Sequence, residues 1–184
     1  MLVIGLTGLA GSGKTSVAKY LKEKYGFGLI TFSDIIKELA LKEGWLTGKE
    51  GVEEWKRKLC DFGKEYRAKA GSEDVFAKII VEKIKKSGKN FCVDGFRSPA
   101  EVLCFRKAFK DFRLVFVDAD VHTRFLRRKK DDPNATIEKI MARDEIDIKR
   151  MNFDKVFSMA DYRIDNNNGF EKTKQQIDNI ITRA

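Results

Sequence analysis

Histidine, cysteine and proline are scarce in this chain of 184 residues. His122 is the only histidine, and alone it cannot anchor a zinc site. Three cysteines, Cys60, Cys92 and Cys104, are odd in number and lack metal-type spacing. That excludes a disulfide framework and predicts reduced thiols in a cytoplasmic protein. No apolar run approaches the length that spans a bilayer, so no membrane partner is expected. The first apolar segment has no charged stretch ahead of it, unlike a signal peptide. The two prolines, Pro99 and Pro133, stand apart, and no repeat, low-complexity tract or linker divides the chain. Acidic residues are outnumbered, 28 against 37 basic ones, for a net charge of +9. Such an excess suits nucleic acid, a membrane surface or a polyanionic small molecule. Most lysines, among them Lys22, Lys24, Lys83, Lys85, Lys86 and Lys89, fall on solvent faces and read as a solvated basic surface. With 42% hydrophobic and 35% charged residues, the chain reads as one globular domain, 1–184.

What is present begins at Gly8-Leu9-Ala10-Gly11-Ser12-Gly13-Lys14-Thr15, directly after the apolar run Leu2-Val3-Ile4-Gly5-Leu6-Thr7. It fits the pattern of a phosphate-binding loop: glycine, four spacers, then Gly-Lys-Ser/Thr. Glycines let the backbone approach an anion, and freed N–H groups form a nest for phosphate oxygens. A helix starting near Gly13 adds its positive dipole end. Lys14 is placed to reach the β- and γ-phosphates and Thr15 to ligate Mg²⁺. The expected nucleotide contacts are Gly8, Ala10, Gly11, Ser12, Gly13, Lys14, Thr15 and Ser16.

Strand and helix patterns alternate along the rest, which predicts a parallel sheet flanked by helices. Expected strands lie at 2–7, 29–32, 90–94, 113–118 and 162–165. Expected helices lie at 13–25, from a Ser33 or Asp34 cap to about 43, at 52–69, from Ser72 to 84 and beyond, from Ser98 to about 110, and at 169–183. Ser98-Pro99-Ala100-Glu101 is a capping box with proline at the first helical position. Residues 44–74 hold no strand pattern. Residues 121–151 are charged and read as two helical pieces broken near Asp132-Pro133.

Several residues at strand ends can carry chemistry. Asp94 ends an apolar strand, a place for an acid that holds Mg²⁺ or for one that caps the turn before Gly95. Asp118 is its rival. Arg97, just past that strand, can grip a phosphate bidentately or pair with Glu101. Asp34 can position or deprotonate an attacking hydroxyl, or cap its helix. Arg57 and Arg67 are further candidate acceptor clamps. Arg124, Arg127 and Arg128 share a helix face, and with Arg143 they can fold over a transferring group as a lid hinged at Asp132-Pro133. Asn166 lies in a turn, Asn166-Asn167-Asn168-Gly169, that is a candidate contact near the nucleotide base.

At these residues the chain resembles P-loop kinases of the nucleoside monophosphate kinase type over nearly its whole length. Asp94-Gly95-Phe96-Arg97 is similar to the aspartate-glycine-phenylalanine-proline-arginine element of adenylate kinases, without the proline. It also resembles the corresponding element of deoxynucleoside monophosphate kinases and of an uncharacterised archaeal kinase-like family. The opening from Ile4 and the tail Ala160-Asp161-Tyr162-Arg163-Ile164-Asp165-Asn166 are similar to dephospho-coenzyme A kinase, with Phe32 in place of the first of that family's two aspartates. The resemblance implies a three-layer α/β P-loop NTPase fold with a five-stranded parallel sheet, an acceptor-binding insertion at 44–74 and a lid at 121–151. It implies Arg97 on the acceptor phosphate, and Arg127 or Arg128 with Arg143 in the lid.

The expected function is an ATP- and Mg²⁺-dependent phosphotransferase acting on a small nucleotide-like acceptor, a nucleoside or deoxynucleoside monophosphate. Lys14, Asp34, Arg97, Arg127 and Arg128 would be catalytic, Thr15 and Asp94 would hold the metal, and Asp34, Arg57, Arg67, Arg97 and Arg143 would bind the acceptor. A dephospho-coenzyme A kinase is the alternative acceptor reading. A nucleotide-dependent nucleic-acid-binding or regulatory ATPase is the alternative of another class, although no aromatic-interleaved basic motif is present. A monomer or homodimer is expected.

Overall fold

The computed structural model describes residues 1–182. In chain order the elements are β1 (Val3–Thr7), α1 (Lys14–Tyr25), β2 (Gly28–Thr31), α2 (Phe32–Lys42), α3 (Val52–Ala70), α4 (Val75–Ser87), β3 (Phe91–Asp94) and α5 (Pro99–Ala108). Then come β4 (Phe112–Asp118), α6 (Val121–Asp131), α7 (Ile137–Met151), α8 (Phe153–Ser158), β5 (Tyr162–Asp165) and α9 (Phe170–Thr182). Arg183, the expected end of the closing helix, lies outside the described residues.

The five strands form one sheet in the order β2-β3-β1-β4-β5. Every pairing is parallel. Helices cover both faces, which makes a three-layer α/β fold. Alternate side chains of each strand therefore enter different cores. Val3, Val93 and Leu114 join Phe32, Phe76, Ile80, Phe96 and Phe105 on one face. Ile4, Leu6, Val115 and Val117 join Val17, Leu21, Ile164 and Ile177 on the other. This double burial is why β1 is apolar without a break. A smaller cluster, Ala40, Leu46 and Phe62 with Trp45 and Trp55 against it, ties α2 to α3.

Strand order fixes where a ligand can sit. From β1 the chain turns one way, to β2 at the sheet edge. From β3, the neighbour of β1, it turns the other way, to β4. The loops leaving β1 and β3 therefore diverge and open a crevice at the carboxyl ends of the strands, where ligands of such sheets bind. In register, Leu6 of β1 and Thr31 of β2 both face Asp94 of β3.

Helix boundaries depart from expectation in three places. Thr31, rather than Ser33 or Asp34, caps α2: its Oγ1 accepts the Asp34 N–H at 2.9 Å, so the helix starts at once after β2. Ser72 does not open α4, because Ser72 and Asp74 form a side-chain hydrogen-bonded turn and the helix begins at Val75. Asn152, in the left-handed region at φ 52°, separates α7 from α8, a six-residue helix too short to leave a periodic signal. The capping box at Ser98 and Glu101 is present as expected.

Candidate active site

The loop of residues 8–15 joins β1 to α1. Gly8 has φ +144° and Gly13 φ +101°, and neither position has room for a side chain. A Cβ on Gly8 would stand 2.3 Å from the Val117 carbonyl oxygen, and one on Gly13 would stand 2.1 Å from Asn166 Nδ2. Gly13 caps α1 without a side chain, so the first N–H groups of the helix stay open to an anion.

Lys14 folds back over the loop. Its Nζ donates to the carbonyls of Gly8 at 2.7 Å and Leu9 at 3.2 Å, which leaves one of three donors uncommitted. Burial lowers its pKa, Asp94 raises it, and Arg97 and Arg143 lower it further. Asp94 is shifted the other way. Burial raises its pKa, while Lys14 and Arg97 pull it down and Asp34 pushes it up. Its Oδ1 is buried without a hydrogen-bond partner, as is the hydroxyl of Ser12 in the loop. Orphaned acceptors of this kind are what a hydrated cation satisfies, so the residues fit a metal there. Asp118 is engaged elsewhere, in an ion pair with Arg163.

Gly8, Lys14, Arg97, Arg143 and Asp147 line a cleft of about 50 Å³ between the loop, the end of β3 and α7. That is room for several water molecules. A wider, open hollow of about 550 Å³ runs beside α1 and α9 past Ser16, Lys19, Tyr20, Phe170 and Lys174. Thr15 and Ser16 are exposed at the start of α1.

The structure separates the expected arginines. Arg97 reaches the cleft, and its backbone N–H is held by Glu101 Oε2 at 2.8 Å. Arg67 is joined to it indirectly: its Nη2 lies 3.5 Å from Oε1 of the same buried Glu101, and its guanidinium covers the Phe76 ring. Arg57 lies exposed on α3 and does not line the cleft. Asp34 is exposed in the first turn of α2, near enough to Asp94 to raise its pKa. Arg143 lines the cleft, with Nε 3.7 Å from Asp147 Oδ2.

Arg124 is a correction. Its guanidinium is not open to a nucleotide, because it is buried against Asp144 through bonds of 3.0 and 2.6 Å and also donates to Ala119 and Ala10 carbonyls. Arg127 grips the loop from behind, donating to the carbonyls of Gly11 at 3.3 Å, Ser12 at 3.1 Å and Asn166 at 2.6 Å. Arg128 is half-buried, with its Cγ packed near Gly11. Asn166 is a second correction. Its amide, 3% exposed, donates to Ser12 O at 2.7 Å and accepts from Thr173 Oγ1 at 2.7 Å, so it braces the loop from a buried position.

Sequence reasoning missed Asp144, Asp147 and the bracing role of Glu101. Asp147 left a trace as the carboxylate one turn after Arg143, and Glu101 as the acid of the capping box beside Arg97.

Comparison with known proteins agrees with this fold. The AAA domain family matches residues 4–151. A UPF0200 protein of Methanothermobacter thermautotrophicus is 33% identical over 187 residues, covering 100% of this chain and 90% of that protein. One of Pyrococcus abyssi is 35% identical over 193 residues, covering 99% and 96%. Among solved structures, TT1252 from Thermus thermophilus superposes with a TM-score of 0.63 at 18% identity, over 99% of this chain and 97% of that one. Shikimate kinase from Acinetobacter baumannii superposes with a TM-score of 0.55 at 20% identity, over 100% and 92%. These two show the fold alone, a three-layer α/β one. With archaeal relatives a third identical along nearly their whole length, the chain belongs to the UPF0200 family and carries an AAA domain.

Proposed function

We propose that the protein is an ATP- and Mg²⁺-dependent phosphotransferase whose acceptor is a nucleoside or deoxynucleoside monophosphate. One observation carries this reading: the crevice between β1 and β3 brings Lys14 of the glycine loop against Asp94 and Arg97. The loop N–H groups and Lys14 would bind the triphosphate. Thr15 and Asp94 would hold Mg²⁺, which when bound neutralises charge on the β- and γ-phosphates. Arg97, set by Glu101, would orient the acceptor phosphate, with Arg67 behind it. Arg143 would close from a lid of residues 121–151, excluding water that competes as acceptor. Arg127 would act by fixing the loop, and the insertion at 44–74 would cover the acceptor. The protein would work in the cytoplasm as a monomer or homodimer.

A hydroxyl acceptor, as in a dephospho-coenzyme A kinase, is favoured by one feature. Asp34 is exposed at the crevice beside Asp94, where a base for a hydroxyl proton belongs. A phosphotransfer panel decides between the two. ATP and Mg²⁺ are offered with nucleoside monophosphates, deoxynucleoside monophosphates and dephospho-coenzyme A. Transfer to a monophosphate, abolished by Lys14→Ala and strongly reduced by Arg97→Ala, is expected. Transfer only to dephospho-coenzyme A, lost in Asp34→Ala, would replace the first reading with the second. Undiminished turnover in Lys14→Ala would overturn both.

A further inference from the structure

Three cations converge on the small cleft at the mouth of the loop: Lys14 from α1, Arg97 after β3 and Arg143 from α7. They repel one another, and Arg97 and Arg143 both press Lys14 towards its neutral form. An anion among them relieves that repulsion. The structure supplies one from the chain itself. Asp147 lines the same cleft, one helical turn beyond Arg143 and 3.7 Å from its guanidinium, with a side chain only 20% exposed. Asp94 faces Lys14 from the β3 side, and Asp34 lies beside Asp94, so Asp147 is the carboxylate contributed by α7. The cleft of about 50 Å³ is thus already shared between three cations and this carboxylate.

We propose that Asp147 is a built-in counter-anion: it occupies the terminal-phosphate end of the cleft and must be displaced by an incoming polyphosphate, which then takes over Arg143. The inference rests on the polyphosphate-binding reading of the loop. It adds an autoinhibitory contact to that site. A carboxylate and a phosphate compete for the same three cations. Binding is therefore weakened by the work of moving Asp147 aside. Arg143 is released for the phosphate only when that displacement occurs. A small anion that cannot engage the whole loop gains too little to drive the exchange, so the empty site resists occupation by inorganic phosphate.

The test is calorimetric titration of the full chain with sodium tripolyphosphate, first without metal and then with excess Mg²⁺, at fixed low ionic strength. Asp147→Asn and Asp147→Ser are compared with the unaltered chain and with Lys14→Ala, and thermal melting confirms that each is folded. In metal-free solution both Asp147 variants should bind roughly fivefold more tightly or better. The gain should vanish when Arg143→Ala is added. Unchanged or weaker metal-free binding in both variants would overturn the proposal. So would a loss of affinity seen only with Mg²⁺, which would make Asp147 a metal ligand. Lys14→Ala binding as well as the unaltered chain, or no binding by any chain, would defeat the loop reading itself and this proposal with it. A clear loss in Lys14→Ala with no gain from Asp147→Asn would sink this proposal alone.

Discussion

Arg124 and Asp144 meet fork to fork, Nη1 3.0 Å from Oδ1 and Nη2 2.6 Å from Oδ2, with side chains 5% and 11% exposed. The pair joins α6 to α7, and the same guanidinium touches the loop carbonyl of Ala10 at 3.4 Å. Asp144 directly follows Arg143, so this contact sets where Arg143 enters the cleft. Asp144→Ala leaves a buried cation without its partner and should cost about 3–5 kcal/mol. Chemical denaturation measures that loss. Replacing both partners with apolar residues of similar volume should recover most of the stability and none of the positioning of Arg143.

Gly13→Ala should fail for two separable reasons. The left-handed backbone costs about 1–3 kcal/mol for a side chain. The new methyl also falls on Asn166 Nδ2 and pushes it off the Ser12 carbonyl. Gly26→Ala shares the left-handed backbone at φ +69° but meets nothing within 4 Å. It should lose about 1 kcal/mol and keep full tripolyphosphate affinity, whereas Gly13→Ala should lose both. Equal binding by the two variants would show that the loop tolerates the clash.

Glu101 is 1% exposed and serves two arginines, the backbone of Arg97 and the guanidinium of Arg67. Glu101→Ala should destabilise by about 3 kcal/mol, because Arg67 and two N–H groups lose their acceptor together. In a phosphotransfer assay its KM for the acceptor should rise more than kcat falls, with the KM for ATP little changed. Glu101→Gln, which keeps an acceptor oxygen, should fall between.

Asp94 predicts a pH dependence. Burial raises its pKa from 3.8, so the folded protein holds that proton more tightly than the unfolded chain. The stability this proton confers is present below 3.8 and is lost as pH rises through the raised folded value. Asp94→Asn removes the ionisation. Metal-free melting curves of the variant and the unaltered protein should nearly coincide at low pH and part as pH rises, with the variant more stable. Lys14 runs the opposite way: its pKa is lowered from 10.5, so the folded protein gains stability as pH rises through that lowered value towards 10.5. On the proposed function, phosphotransfer by Asp94→Asn should be nearly abolished, because a carboxylate proposed to hold Mg²⁺ acts in its ionised form.

What could be read from residues alone was local. The buried run before Gly8, the glycine spacing and the box at Ser98 each declare themselves within a few positions, and each stands where expected. Side-chain partnerships across helices were not legible. Arg124 shares its spacing with Arg127 and Arg128, yet only its partner on α7, 20 residues away, decides that it is buried and spent. Asn166 sits in a run of asparagines that reads as an exposed turn. Its contact with Ser12 depends on β5 pairing beside β4, which no local pattern reveals. The start of α2 was missed because Thr31 belongs at once to a strand and to a cap.

The bond from Asn166 to Ser12 spans 154 residues. A ribosome therefore adds Asn166 long after Ser12. Until then the nascent chain carries a glycine loop that lacks this brace. A ligand that needs the braced loop therefore gains its full effect on folding only once β5 has been added and Thr173 has locked the asparagine in place.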